Sequence, residues 1–377
     1  MRGRDALYPR ENMKILVTGG AGFIGSNFLQ IMVPRHPEHS FVCLDRLTYA
    51  GNPLSLEEIR DARNFAFETG DVADPATVTS VFERHRPEAV VHFAAESHVD
   101  RSIHDPAEFV RTNVLGTLQL LSAARASWAP LGGEFRRFHH VSTDEVYGSL
   151  HDEGQPAFTE ETRYDPSSPY AASKAGSDHL VRAFHRTYGL PVTITNCSNN
   201  YGPRQAPEKL IPLTMLRAVD GHELPVYGTG TNRRDWLFVD DHCEAVWMVL
   251  ERGAVGRTYN VGGGDERANI DVVRSICVLV AEETGKAAAD VLALIRFVED
   301  RPGHDWRYAV ESSSIRRELG WTPKSGMEGG LRRTLRWYLS HPKWVESMRS
   351  GEHRQWLEKN YDRRLRAAAD KPTRTDP

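Results

Sequence analysis

The 377-residue sequence predicts an α/β fold: a doubly wound parallel sheet with a smaller, discontinuous C-terminal region. Three observations predict it. A short apolar run, 14–18, leads into a glycine-rich loop and then a helical pattern. Apolar runs then alternate with helical stretches as far as Asn196, the rhythm of parallel βαβ units. Beyond Asn196 that rhythm breaks and prolines and glycines become frequent. The domain reading is a first domain at 13–196 with a returning segment at about 236–262. A second region covers 197–235 and 263–345, and 1–12 and 352–377 read as flexible tails.

The first strand, 14–18, precedes Gly19-Gly-Ala-Gly-Phe-Ile-Gly25. Gly20, Gly22 and Gly25 fit G-x-G-x-x-G, whereas Gly19, Gly22 and Gly25 fit G-x-x-G-x-x-G. Either spacing allows a tight turn, close backbone approach to a pyrophosphate and a helix N-terminus facing it. That helix should run from about Phe23 to Met32, ahead of Pro34. The second strand, Phe41 to Asp45, ends 20 residues after Gly25. A carboxylate there accepts from an adenosine ribose diol and repels a 2′-phosphate, which favours NAD over NADP. Arg46 pulls the other way, because an arginine can pair with that phosphate.

The third strand ends at Asp71. Asp71 and Val72 either flank the adenine or, for Asp71, cap the helix beginning near Pro75. Residues 89–95 form a fourth strand, and Ala94 and Ala95 at its end allow close approach of a ligand. Glu96 to Ser102 follows as a polar loop at the carboxyl edge, where doubly wound folds bind ligands. A helix is expected over roughly Pro106 to Ala126, and a fifth strand over Phe135 to Thr143, with His139 and His140 on opposite faces. Ser168 and Pro169 open a helix that closes at Tyr188-Gly189. Pro191 to Asn196 is the sixth strand, and Trp236 to Leu250 reads as strand then helix returning to the main sheet.

Composition narrows the class. Hydrophobic residues at 40% and charged residues at 26% are ordinary for a soluble globular chain. A net charge of −4 gives no support for a nucleic-acid or anionic-membrane partner. No stretch reaches the apolar length of a membrane span, and MRGRDALYPRENM lacks the apolar core of a secretory signal. Cys43, Cys197, Cys243 and Cys277 are spaced like neither a zinc motif nor a disulfide framework, so a reducing cytoplasm fits. No metal is assigned to the 16 histidines.

The chemistry gathers in 142–174. Ser142 and Thr143 place hydroxyls at a strand end, and Asp144 and Glu145 place two carboxyls directly after them. Adjacent residues of a strand point oppositely, so a bend must bring both carboxyls to one site. Two near carboxyls split their pKa values, leaving one as acid and one as base. Tyr170 and Lys174 are four apart and share a helix face, where an ammonium favours phenolate.

These residues resemble the extended short-chain dehydrogenase/reductase family and, within it, the dTDP-glucose 4,6-dehydratases. The resemblance runs from Lys14 to about Leu339 and rests on GGAGFIG, LDRLTYAGN, HFAAESHVDRSI, VSTDEVYG, PYAASK, CSNNYGP, PEKLIP, RDW and DRPGHD. It implies a Rossmann-type NAD-binding domain and a hydro-lyase acting on dTDP-glucose. That reaction oxidises C4, eliminates water across C5 and C6, and returns the hydride to C6. Tyr170 would be the base at the 4-hydroxyl, Lys174 would lower its pKa and hold the nicotinamide ribose, and Thr143 would position the hydroxyl. Asp144 would protonate the leaving 6-hydroxyl and Glu145 would take the C5 proton. Phe23, Ile24, Thr48, Thr112 and Asn200 join the cofactor set by the same resemblance. Ser97, Asn199, Lys209, Leu210, Pro225, Tyr227, Arg234, Asn269, Arg301 and His304 form the substrate set. Arginines 234 and 301 suit a nucleotide diphosphate. Two departures stand out: Arg46 where lysine is common, and Arg204 where an aromatic often sits. The resemblance also implies a homodimer built on the 106–126 and 168–188 helices. The competing readings are an epimerase, a decarboxylase or a UDP-glucose 4,6-dehydratase of the same family, or a non-catalytic NAD-sensing regulator. The adjacent Asp-Glu pair separates the dehydratase from the epimerases.

Overall fold

The computed structural model describes residues 12–129, 135–301, 303–349 and 363–369. Its centre is a seven-stranded sheet in the order β10-β6-β5-β4-β1-β2-β3. The strands are β1 (Lys14–Thr18), β2 (Ser40–Asp45), β3 (Phe65–Thr69), β4 (Ala89–His92), β5 (Arg137–Thr143), β6 (Val192–Cys197) and β10 (Thr258–Val261). Every pairing in it is parallel. Helices cover both faces, so the inner strands are buried on both sides and read as near-continuous runs. All seven residues of β5 and all six of β6 are buried, whereas β3 lies at the edge and is mostly exposed. β1 pairs with β2 on one side and β4 on the other, and this reversal of strand order opens a crevice at the carboxyl ends.

Three helices bear on the site. The Phe23–Arg35 helix follows the glycine loop and continues through Pro34, three residues beyond the expected stop. The Pro75–His85 helix is capped by Asp74, whose carboxylate accepts from the N–H groups of Ala76 and Thr77. Asp71 is therefore not its cap. The Pro169–Tyr188 helix is capped by Ser168, which accepts from Ala171 N–H, and it ends at Gly189 in the left-handed region.

The single helix expected over 106–126 is instead a composite. Pro106–Phe109 is α-helical, Val110–Leu115 is a π turn, and Gly116–Trp128 is α-helical again. The widened turn carries Asn113, whose buried amide bridges the Glu96 backbone and the Ser173 hydroxyl. That contact ties the loop after β4 to the Tyr170 helix, and such bulges recur at functional sites.

The C-terminal region holds two small sheets. β7 (Asn199–Tyr201), β9 (Arg233–Phe238) and β11 (Glu266–Ala268) form one, and β8 (Leu224–Tyr227) pairs with β12 (Ile295–Val298) in the other. The returning segment is thus split: its strand, β9, belongs to the small sheet. The Val239–Arg252 helix packs on the main sheet through Val239, Cys243, Val246, Trp247 and Leu250, and β10 joins that sheet beside β6. All four cysteines are buried free thiols. Within the expected tail, Arg363–Ala369 is a helix with Leu365 buried and Arg364 donating to the Glu299 carbonyl. The remainder of both expected tails lies outside the described residues, apart from Asn12.

Candidate active site

The crevice is lined by the glycine loop, the ends of β2, β4, β5 and β6, and the loop before Lys209. Gly19 has φ +72°, and a Cβ there would lie 2.5 Å from Ala94 N. A Cβ on Gly25 would lie 2.3 Å from the Gly19 carbonyl oxygen. Gly22 caps the Phe23–Arg35 helix with no side chain of its own over the first-turn amides. A Cβ on Gly20 would instead strike Cys43 Sγ and Leu29 in the core. The structure therefore selects the Gly19, Gly22, Gly25 reading. A bare helix N-terminus lined by glycine backbone fits the pyrophosphate of a dinucleotide.

Asp45 stands at the end of β2 with Oδ2 accepting from Ala21 N–H at 2.9 Å and Oδ1 from Leu47 N–H at 2.8 Å. Burial raises its pKa against those two donors. Two carboxylate oxygens offer about four lone-pair sites, so capacity remains for a diol. Arg46 is already committed. It donates to Asp71 at 3.0 Å and to Glu108 at 2.7 Å, and Glu96 lies 3.7 Å away. Asp71 also accepts from Arg111 at 2.6 Å and from Ala73 N–H at 2.8 Å, and these donors hold its pKa down although burial opposes them. Thr48, Val72, Ala94, Ala95, Thr112 and Asn200 line the same crevice. Arg204 lies elsewhere, tied to Asn27 and Glu58 beside the Trp337 ring.

At the end of β5 the chain turns into a 3₁₀ helix, Asp144–Tyr147. Three residues per turn set successive side chains about 120° apart rather than opposed, which is the bend the paired carboxyls require. Thr143 caps this turn, accepting from Glu145 N–H at 3.3 Å and donating to Asp144 Oδ1 at 3.4 Å. Asp144 is 1% exposed, and its Oδ2 has no hydrogen-bond partner among the described residues. Burial, then the charges of Glu145 and Asp235, push its pKa well up. Burial also raises Glu145, but Arg301, Lys209 and Arg234 oppose the rise. The pair is thus polarised: Asp144 favours its protonated form more strongly than Glu145.

Tyr170, Lys174 and Asp178 follow one face of their helix, each buried. Tyr170 and Thr143 both line the crevice. Lys174 Nζ donates to the Val141 carbonyl at 2.8 Å and lies 3.4 Å from His140 Nε2. Burial lowers the Lys174 pKa to about 8. Against the expectation that Lys174 depresses the Tyr170 pKa, burial and then the Glu145 charge raise it well up. Asp178 accepts from Ser142 at 2.9 Å and Tyr164 at 2.8 Å and lies 3.2 Å from His140, so Ser142 faces this buried network.

On the other side Ser97, Asn199 and Lys209 line the crevice, with Lys209 Nζ donating to the Ser97 carbonyl at 3.0 Å. Leu210, Pro225, Tyr227, Arg234, Asn269, Arg301 and His304 are not among its lining residues. Leu210 opens the Leu210–Asp220 helix and Pro225 lies in β8. Arg234 holds the carbonyls of Arg233, Trp306 and Asp305, and it faces Glu145 electrostatically together with Arg301. Asn269 begins the Asn269–Thr284 helix with Oδ1 buried and without a partner among the described residues, and His304 pairs with Asp300 at 2.6 Å.

Two acidic residues that the sequence reading passed over organise this side. Asp100 accepts from Arg301 at 3.2 Å and from Tyr227 at 3.3 Å. Its sequence signal was a carboxylate in the polar loop after β4. Asp235, 2% exposed beside Asp144, carries a pKa pushed up to about 6, chiefly by burial. The described histidine and acidic residues bring potential metal ligands together at His36, Glu38 and His39, outside the crevice lining.

Comparison with known proteins gives three concordant findings. Residues 16–334 match the family model for GDP-mannose 4,6 dehydratase. The chain is 52% identical to a dTDP-glucose 4,6-dehydratase of Shigella flexneri over 362 residues, 93% of this chain and all of the relative. It is 56% identical to one of Neisseria gonorrhoeae over 333 residues, 87% of this chain and 96% of that one. Among solved structures, a dTDP-glucose 4,6-dehydratase of Streptomyces venezuelae with NAD bound aligns with TM-score 0.80 and 45% identity. The alignment covers 89% of this chain and 100% of that one.

Proposed function

This chain belongs to the dTDP-glucose 4,6-dehydratase family, and on that premise we propose how its residues convert dTDP-glucose to dTDP-4-keto-6-deoxyglucose and water. The observation that carries the reading is the polarised Asp144–Glu145 pair, set within one 3₁₀ turn beside Tyr170. An epimerase of the same fold has no need of both carboxyls.

We assign Gly19, Gly22, Gly25, Asp45, Thr48, Val72, Ala94, Ala95, Thr112, Lys174 and Asn200 to NAD, a reading supported by their all lining the crevice. When bound, NAD would supply a hydride acceptor that oxidises C4 to the ketone kept in the product, and would return the hydride at C6. Tyr170 takes the proton of the 4-hydroxyl while Thr143 orients that hydroxyl. The C4 ketone makes the C5 proton acidic, and Glu145 removes it. Asp144, held protonated by burial and by its neighbours' charges, gives its proton to the departing 6-hydroxyl. Glu145 then returns a proton to C5. Lys209, Arg234 and Arg301 supply the positive charge facing Glu145, and the two guanidiniums suit a nucleotide diphosphate.

We assign the dinucleotide to the main-sheet domain and the sugar nucleotide to the C-terminal region, and we place the chain in the cytoplasm as a homodimer. Val110, Leu115 and Tyr188, exposed apolar residues on the composite and Tyr170 helices, support that dimer face. Among the described residues no helix is long and apolar enough to cross a membrane. The deciding experiment is incubation with dTDP-glucose followed by alkali, with UDP- and GDP-sugars in parallel. A 4-keto chromophore with dTDP-glucose is the expected result, and its absence would overturn the reading.

A further inference from the structure

Lys174 carries its ammonium at 4% exposure, and the proposed function, on which this inference rests, sets that ammonium against NAD. A charge so deeply buried is costly unless an opposite charge stands near it. One turn further along the same helix is Asp178, fully buried and without a step in the reaction. The fold brings the two to a single atom. Lys174 Nζ lies 3.4 Å from His140 Nε2, and Asp178 Oδ1 lies 3.2 Å from the same nitrogen. His140 itself brings no charge, since burial lowers its pKa to about 4 and leaves the imidazole neutral.

We propose that Asp178 is a positioning residue for the reaction, the buried counter-ion that keeps Lys174 an ammonium in the crevice wall and so secures its hold on the cofactor. The carboxylate is itself fixed in place. Its Oδ2 accepts from the Ser142 hydroxyl at 2.9 Å and from the Tyr164 hydroxyl at 2.8 Å. Tyr164 in turn accepts from Arg182 at 2.6 Å and from Asn196 at 3.1 Å, so its own proton goes to Asp178. Burial opposes ionisation of Asp178, but His140, Lys174 and Arg182 outweigh it and its pKa is lowered. Asp178 is therefore a carboxylate beside an ammonium.

The other groups around the pair do not replace that charge. Lys174 faces His140 of β5, Cys197 of β6 and His92 of β4, with Tyr170 and Asp178 on its own helix. Burial keeps the Cys197 thiol protonated and both histidines neutral. Asp178 faces His140, Tyr147 and Tyr164, with Lys174 and Arg182 on its own helix. Among these described groups Asp178 is the one carboxylate. Burial lowers the Lys174 pKa and the Asp178 charge opposes the fall. Without that charge Lys174 loses its proton at a lower pH.

The test follows the exchange of bound NAD for labelled NAD in the holoenzyme, across the neutral to alkaline range. Exchange should quicken as Lys174 loses its proton. Asp178→Asn, whose amide oxygen can still accept from Ser142 and Tyr164, should move that step to lower pH by about 1–3 pH units, and acidification should slow exchange again. Tyr164→Phe removes one of those hydrogen bonds and keeps the charge, so the step should stay in place. Lys174→Met should exchange fast with no step. Thermal melting is a second readout, which covers an Asp178→Asn protein too unstable to assay. The double variant Asp178→Asn/Lys174→Met should fold and melt no lower than Asp178→Asn alone, because it no longer buries an unpaired ammonium. A step that stays put in Asp178→Asn, an equal shift in Tyr164→Phe, or additive losses in melting would overturn the counter-ion role and leave Asp178 as a hydrogen-bond anchor. If Lys174→Met held NAD as tightly as the parent, the assignment of Lys174 to the cofactor would fail and the counter-ion role with it.

Discussion

Arg46 donates to Asp71 at 3.0 Å, and its second amino group is held by Glu108 at 2.7 Å. The arginine that could have received a 2′-phosphate is therefore neutralised within a ring of carboxylates, next to an Asp45 that would repel one. Protein purified and denatured should release NAD⁺ or NADH and little NADP. Stoichiometric NADP in the released fraction would show that Arg46, not Asp45, sets the choice.

Tyr170→Phe should abolish oxidation at C4, so that no reduced-nicotinamide absorbance develops with substrate. Glu145→Gln should still bind cofactor but lose turnover by on the order of 10²–10⁴-fold, the usual worth of a general base. Turnover of Glu145→Gln at the parent rate would remove it from the mechanism.

Asp235 is one of the charges that raise the Asp144 pKa, after burial and Glu145. Asp235→Asn deletes that charge. The Asp144 pKa should fall, and because Asp144 works as the protonated acid, activity should be lost at a lower pH on the alkaline side. A pH–rate profile of parent and variant checks the direction. An alkaline limb that stays put or moves upward would contradict the assignment of Asp144 as the acid.

The path of hydrogen tests the whole sequence of steps. Sugar deuterated at C4 should yield product deuterated at C6 within the same molecule, and a reaction in D₂O should place deuterium at C5. Mixed labelled substrates should show no crossover. Crossover would mean that the hydride leaves the enzyme between steps.

Much of the molecule was legible in the sequence because its signals are local. A strand, a glycine loop and a helix in succession announce a dinucleotide fold, and Asp45 follows at a fixed chain distance. Tyr170 and Lys174 share a face through helical spacing alone, and Asp144 and Glu145 are adjacent. The π turn at Val110–Leu115 was not legible, since the helical pattern around it is continuous and only packing of Asn113 against Glu96 and Ser173 marks it.

Charge balance was decided by tertiary structure. The sequence put an ammonium beside Tyr170, but the fold turned Lys174 to the Val141 carbonyl and set Glu145 and deep burial against the phenol. Asp100 finds Arg301 across 201 positions of chain, and Asp235 comes to Asp144 from another sheet. A side chain's type and its near neighbours can be read along the chain. Its desolvation and its distant partners cannot, because both depend on which remote segments the folded core brings against it.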